Sequence, residues 1–522
     1  MLIEPDEPSH DDFVRTPSTV AEIAPYWARH APDRIALVEG ARRVSYGELE
    51  TATRRMADML VARGVRAGDR LMLVCENCCA GVIAYLAATR IEAWPVIVNA
   101  RLSDREVDEI REHCGARRVL YTSEVSLRAK AHGTRHGAEP LDFAPYGKLA
   151  IAPLDEICEP EPIRPDITRQ VAALIYTSGT TGRPKGVMLS HGNLMFVARE
   201  SSEIRKFDSA DRIFAVLPMS HILGLTGVLI SGLLSGAQVH LAPRFDPAAV
   251  LNAIAKDGIT ALIGTPGMYA MIAEYATRNG LAPVARPALR LISAAGAPLD
   301  LATKTSVEAV FGLVLHNGYG ITETAPTLTL TRLDDPREDC SVGRLLPGIE
   351  ARIAGPDGHA VPTGEAGELY VRGPGVMKGY YKAPEETAAA VDHDGWFRTG
   401  DLARIVDGSL FIVGRAKEMI IRYGFNIYPA EVEGVLNAHP AVARSAVIGR
   451  PADGGEEVVA FVQLAQGATA SLADLADHAA RQLAPYKRPS AIVPMDALPA
   501  SPTGKILKSE LAAMAKTFAR AG

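Results

Sequence analysis

Residues 176–187, Tyr176-Thr177-Ser178-Gly179-Thr180-Thr181-Gly182-Arg183-Pro184-Lys185-Gly186-Val187, gather hydroxyls, glycines and a lysine directly behind the apolar run 171–175. A loop of that composition leaving a strand aims backbone N–H groups and hydroxyls at phosphate oxygens, and the lysine adds charge. It departs from the common G-x-x-x-x-G-K-[ST] loop, because Lys185 sits between Pro184 and Gly186 and no hydroxyl residue follows to hold magnesium. A second cluster, His316-Asn317-Gly318-Tyr319-Gly320-Ile321-Thr322-Glu323-Thr324, flanks an aromatic ring with glycines and ends in a hydroxyl and a carboxylate. Read as a loop, it can stack a purine on Tyr319, bond a phosphate oxygen through Thr322 and offer Glu323 to a hard cation such as Mg2+. Third, Trp396-Phe397-Arg398-Thr399-Gly400-Asp401 sets a carboxylate after a glycine turn, suited to the vicinal hydroxyls of a ribose. Fourth, Pro499-Ala500-Ser501-Pro502-Thr503-Gly504-Lys505 presents Lys505 on a loop near the C-terminus.

These residues need rigid elements behind them. A chain of 522 residues exceeds one hydrophobic core, so a large body with at least one further domain is expected. Tyr46 opens a helical stretch, 70–74 reads as a strand and 80–91 as an apolar helix; 118–122 and 171–176 read as further buried strands. Strands lying beside helices predict α/β layering. Residues 126–166, rich in Pro, Ala and charge, read as an irregular surface excursion. After residue 340 the texture turns to short runs between glycines, such as 367–372 and 409–413, which predict β hairpins. Beyond Met419 about one hundred residues alternate helix and strand, a plausible separate domain.

Taken together, the four clusters resemble the signatures of the AMP-forming adenylating superfamily: acyl-CoA synthetases, peptide-synthetase adenylation domains and luciferases. The resemblance covers essentially the whole chain. It implies an α/β fold: a large multi-subdomain N-terminal body of layered α/β sheets with a β-rich part (1–416), and a small mobile α+β C-terminal lid (417–522) hinged near Lys417. It also implies ATP, Mg2+ and coenzyme A as the reaction partners of a carboxylic acid. Thr177, Ser178, Gly179, Thr180, Thr181, Gly182 and Lys185 then handle phosphates. Gly296, Ala297 and Pro298, in Ser293-Ala294-Ala295-Gly296-Ala297-Pro298, wall the adenine opposite Asn317, Gly318, Tyr319 and Gly320. Asp401 binds the ribose with Arg415 as a second contact, and Lys505 bridges the acyl carboxylate and the α-phosphate. Tyr423, Gly424 and Phe425 resemble the loop lining the pantetheine tunnel. The surroundings of Lys505 further resemble those of lysines silenced by acetylation in bacterial acyl-CoA synthetases.

For the acid itself, Leu217-Pro218-Met219-Ser220-His221-Ile222-Leu223-Gly224 lacks the acidic residue with which amino-acid-activating relatives grip an ammonium group. An amino-acid substrate would bury that charge unpaired and is disfavoured. In CoA ligases a histidine like His221 lies beside the substrate carboxylate. The resemblance gives the remaining walls as Gly264, Thr265, Met268, Tyr319, Gly320, Ala325 and Pro326, which suit an aromatic or medium-length uncharged acid. Longer fatty acids, loading of a carrier protein and a luciferase-like oxygenase stay open as alternatives. A net charge of −6 argues against a nucleic-acid partner, and residues 222–237 are too interrupted by glycine and hydroxyl residues to span a membrane. The acidic start lacks the features of a signal peptide, so a cytoplasmic location is expected; a homodimer is admitted. Cys75, Cys78 and Cys79 read as buried thiols, not metal ligands, for want of a second pair at ligand spacing.

Overall fold

The structure, a computed structural model, describes residues 17–178, 184–422, 425–452, 455–465, 467–500 and 506–516; the side chain of Ser178 is also outside the description. Among the described residues the strands form four sheets. Two are large and mostly parallel. In the eight-stranded one, Val171–Ser178, Trp94–Asn99, Arg70–Cys75 and Ala116–Tyr121 run parallel side by side, and antiparallel strands extend both edges. Burial on both faces explains why these strands read as nearly unbroken apolar runs. The nine-stranded sheet carries Ala261–Gly264, Leu291–Ala294 and Leu315–Gly320 as parallel neighbours near one edge.

Local sequence sets the helices that cover them. Ser45 accepts from the Glu48 amide and Glu48 reaches back to the Ser45 amide, so Tyr46–Ala62 starts with both orphan donors satisfied. Cys79–Arg90 is apolar all round because it is buried all round, and Cys75, Cys78 and Cys79 are free and buried within the same packing. The glycine-rich stretch after His221 is buried too: Leu223–Ile230 forms a π-helix and Ser231–Leu234 continues it as α-helix. No helix among the described residues is long and apolar enough to cross a membrane.

Two readings need correction. Residues 126–166 are not an irregular excursion throughout. Ser126 caps the helix Leu127–Arg135, and Glu139–Asp142 and Lys148–Ile151 add an antiparallel edge to the eight-stranded sheet, with Leu141, Phe143, Leu149 and Ile151 buried. Alternating burial in two short strands is hard to see among so many charges. Residues 315–320 are a strand, not a loop, parallel to Leu291–Ala294 and antiparallel to Thr327–Leu330. A Cβ on Gly320 would lie 1.8 Å from the Pro326 carbonyl oxygen, so this glycine serves close strand approach.

The third sheet is the antiparallel set Glu350–Ala354, Gly367–Arg372, Phe397–Val406 and Ser409–Arg415, as the hairpin reading predicts. The fourth lies beyond residue 419, where Val442–Ala452 and Gly455–Leu464 pair antiparallel and Ala491–Met495 joins in parallel. Its two faces bury separate apolar clusters, around Val432 and Leu475 on one and around Phe461 and Leu511 on the other. Neither cluster shares a residue with the cores of the larger body.

Candidate active site

A cavity of about 960 Å³ opens where the body meets the C-terminal unit. Its size falls in the usual range for a small-molecule site. Thr177 and Lys185 reach it from the hairpin Val171–Ser178 and Pro184–Ser190, in which they are cross-strand partners. Ser178, Gly179, Thr180, Thr181 and Gly182 lie outside the described residues or side chains. Opposite the hairpin, Thr322 and Glu323 occupy a short 3-10 turn. Tyr380, which the sequence reading missed, joins the two: its hydroxyl donates to Glu323 Oε1 at 2.9 Å, and Lys185 Nζ lies 5.1 Å from its ring centroid. Burial and the Glu323 charge both push the Tyr380 hydroxyl well above its ordinary range, so it stays a proton donor. Glu323 retains its other oxygen for a cation. Among the described residues no group of three or more His, Cys, Asp or Glu could hold a metal unaided. Mg2+ takes one or two carboxylates and completes its shell with substrate phosphates and water.

The next wall is a closed polar network. Phe397–Val406 and Ser409–Arg415 place Asp401 opposite Arg415, and Arg415 Nε meets Asp401 Oδ1 at 2.8 Å. Tyr319 donates its hydroxyl to Asp401 Oδ2, and the Asp401 amide bonds Thr399 Oγ1 at 3.0 Å. Burial, then the neighbouring carboxylate, drives the Tyr319 hydroxyl far above its ordinary value. Burial works against the Arg415 charge, but Asp401 and Tyr319 outweigh it and its pKa is raised. Asp401 is 2% exposed and stands behind the lining, whereas Thr399, Gly400, Arg415 and Tyr319 form it. Gly400 has φ +71°, a conformation that spares glycine the usual penalty and lets the strand turn Asp401 inward.

Of the other expected nucleotide residues, Gly296, Gly318 and Gly320 line the cavity. Asn317 does not: its side-chain amide donates to the carbonyls of Cys340 and Ser341 at 3.3 and 3.2 Å, so it ties a loop to the strand. Ala297 and Pro298 follow Gly296 but lie outside the lining.

Another part of the lining is built on the π-helix and the residues just before it. His221 and Leu223 line it, with Ile222, Ala295 and Pro326. His221 Nδ1 accepts from the Leu223 amide at 3.3 Å. Gly224 permits the winding, since a Cβ there would fall 2.2 Å from the Pro218 carbonyl oxygen. Gly264, Thr265, Met268 and Ala325, expected as pocket walls, are buried behind it. Thr265 is used as the N-cap of Pro266–Arg278, accepting from the Met268 amide, though its methyl packs behind the turn at Gly296. The lining instead includes Arg205, which nothing in the sequence singled out. It is the C-cap residue of His191–Ile204, followed by Lys206, and reads there as surface charge; in the structure it is 3% exposed.

Lys417 sits in the 3-10 turn Ala416–Glu418 on the cavity rim. Beside it Glu418 pairs with Lys508 at 3.2 Å, and Lys508 also pairs with Glu433 at 2.8 Å. Lys508, also missed, opens the helix Lys508–Ala515 and thereby links the turn to the helix Pro429–Asn437. Phe425 is 53% exposed, stacked on Tyr486 at 4.5 Å and absent from the lining; Tyr423, Gly424 and Lys505 lie outside the described residues.

Comparison with known proteins matches residues 25–381 to the family model of the AMP-binding enzymes and residues 431–505 to that of the AMP-binding enzyme C-terminal domain. Over 490 residues the chain is 37% identical to a feruloyl-CoA synthase of Amycolatopsis sp, covering 93% of this chain and 96% of that one. It is 34% identical to 4-coumarate--CoA ligase 5 of Oryza sativa subsp. japonica, with 92% of each chain covered. Among solved structures, ATP-bound MatB from Rhodopseudomonas palustris superposes with a TM-score of 0.84 at 31% identity, covering 96% of this chain and 99% of that one.

Proposed function

The chain belongs to the AMP-binding enzyme family, and on that premise we propose that it joins an aromatic carboxylic acid to coenzyme A at the expense of ATP. The observation that carries this reading is the convergence of Lys185, Thr322, Glu323, Tyr319 and Arg415 with an apolar pocket beside His221 in one cavity. A carboxylate of the acid attacks the α-phosphorus of ATP in line, pyrophosphate leaves and the acyl-adenylate remains. Lys185 steadies the leaving phosphates and Thr322 bonds a phosphate oxygen. Glu323 would hold Mg2+, whose chemistry when bound is to neutralise charge building on the phosphates. Arg415 and the Asp401 behind it orient the ribose, and Tyr319 faces the adenine. Lys505 completes the adenylating arrangement by bridging the two reacting groups.

The second half-reaction follows from domain motion. We read 1–416 as the body and 417–522 as the lid, turning about Lys417, so that Lys505 withdraws and the segment at Tyr423, Gly424 and Phe425 covers the site. The thiolate of CoA then attacks the acyl carbon and AMP departs. The Glu418–Lys508–Glu433 cluster lies at that hinge and would have to rearrange. Acetylation of Lys505 would remove its charge and stop adenylation. Mass spectrometry paired with activity measurement tests this, and an acetylated form of undiminished activity would refute it.

The relatives named feruloyl-CoA synthase and 4-coumarate--CoA ligase favour an aromatic acid over a fatty one. Pyrophosphate release over benzoates, cinnamates, alicyclic and straight-chain acids, with and without CoA, decides it. The expected outcome is release with aromatic acids and CoA-dependent appearance of AMP. Tight ATP binding without pyrophosphate release from any acid would overturn the reading.

A further inference from the structure

Lys508 is the least expected charge on the cavity rim. It stands three residues after Lys505 in the sequence, at the start of the helix Lys508–Ala515, and lines the cavity with Ser509 and Ala512 of that helix. Lys505 itself lies outside the described residues. Three residues of chain reach at most about 11 Å, so whatever holds Lys508 limits where Lys505 can go. The Lys508 ammonium meets Glu418 at 3.2 Å and Glu433 at 2.8 Å. Burial works against this charge, but the two carboxylates outweigh it and raise its pKa. Glu433 is fixed in turn, because its Oε1 accepts from the Val447 amide at 2.7 Å, and so the anchor reaches the strand Val442–Ala452.

The flanking backbone is tied as well. Ala500 and Ile506 form an antiparallel bridge, and the Leu507 amide donates to the Pro499 carbonyl at 2.8 Å, which pins together the two ends of the stretch 501–505. Further along the helix, Leu511 and Ala515 pack into the cluster of Ala446, Ile448 and Phe461. Apolar packing is non-directional and leaves the first turn of the helix free to shift, whereas two carboxylates on separate elements fix it at a point. Phe425 stands outside the lining, so the C-terminal unit turns toward the cavity the helix that follows Lys505 and not the segment read as the pantetheine tunnel. We propose that Lys508 is a positioning residue for the first half-reaction: clasped by Glu418 and Glu433, it seats the base of the Lys505 segment at the cavity and takes no part in the attack of CoA. This rests on the ligase reading and on the role given there to Lys505.

The two half-reactions separate the claim on the full-length protein. Pyrophosphate release is followed with ATP, Mg2+ and cinnamate or benzoate, and thioester formation with the chemically prepared adenylate of the same acid and CoA. The proteins are the wild type, Lys508→Met, Lys508→Arg, Glu418→Gln and, to set the floor of the first half-reaction, Lys505→Ala. In Lys508→Met pyrophosphate release should fall at least about tenfold, while thioester formation stays within about twofold of the wild type. Lys508→Arg keeps the charge and should recover most of the loss, and Glu418→Gln should show a smaller loss confined to the same step. Tm is measured alongside, because Lys508→Met leaves Glu433 without its cation. Equal losses in both half-reactions, as a merely structural lysine would give, or no loss in either, would overturn the anchor. A wild type that releases no pyrophosphate with either acid, or a Lys505→Ala variant as fast as the wild type, refutes the underlying reading and the anchor with it. A slow Lys505→Ala beside an unimpaired Lys508→Met refutes the anchor alone.

Discussion

The cavity has two charged walls that solve burial in opposite ways. At the nucleotide wall Asp401, Arg415, Tyr319 and Thr399 satisfy one another before any ligand arrives. At another wall Arg205 is as deeply buried as Asp401, and its side chain has one long hydrogen bond among the described residues. Low local polarity strengthens a complete network and penalises an incomplete one. The first wall is therefore held by the protein's own groups, which suits the nucleotide wall proposed for it. The second holds a charge whose Nε and Nη2 have no hydrogen-bond partner among the described residues.

Breaking the scaffold should have the largest effect. Asp401→Ala leaves the Tyr319 hydroxyl and the half-exposed Arg415 without their shared partner, a loss of about 1–3 kcal/mol. Thermal melting should show a clear fall in Tm, and pyrophosphate release should drop by at least about a hundredfold. An unchanged Tm would mean that this wall is not held by its network. His191 offers a middle case, because its neutral ring is 1% exposed and its Nδ1 accepts from the Val20 amide at 3.1 Å. Burial pushes its pKa down to about 4. The unfolded chain, with an ordinary value near 6.5, binds the proton first as pH falls. Stability from this group is thus complete above about pH 6.5 and is lost between about pH 6.5 and 4, by up to about 3 kcal/mol. Urea titrations at pH 7 and pH 4 should show that difference shrinking in His191→Gln. A pH dependence equal to that of the wild type would rule the ring out as its source.

The same contrast explains what could be read from the sequence. Thr177, Lys185, Tyr319, Thr322, Glu323 and Arg415 belong to short contiguous signatures whose chemistry is local, and the structure gathers them in one cavity. Asn317 lay inside such a signature and still had another task, because its hydrogen-bond partners at residues 340 and 341 are distant in sequence. Gly264, Thr265 and Met268 lie behind the cavity lining, since a helix cap and a pocket wall look alike along the chain. Arg205, Tyr380 and Lys508 were invisible. Each takes its meaning from a residue that only folding brings near: Gly227 for the first, Glu323 and Lys185 for the second, Glu418 and Glu433 for the third.

Tyr380 gives the smallest and most discriminating test, because it serves the scaffold side by two separable means. Its hydroxyl orients Glu323, and its ring lies under Lys185. Tyr380→Phe removes the hydroxyl and keeps the ring, so only the carboxylate loses its support. A hydrogen bond of this kind at a partly exposed site is worth about 1 kcal/mol. Pyrophosphate release should fall about fivefold, recovering as Mg2+ is raised, with no change in preference among acids. Tyr380→Leu also removes the ring face and with it a cation–π contact worth about 0.5–1 kcal/mol, so its KM for ATP should rise beyond that of Tyr380→Phe. If both variants instead alter the ranking of cinnamate against benzoate, the two walls are coupled. The proposed division between a polar scaffold for the nucleotide and a separate pocket for the acid would then have to be abandoned.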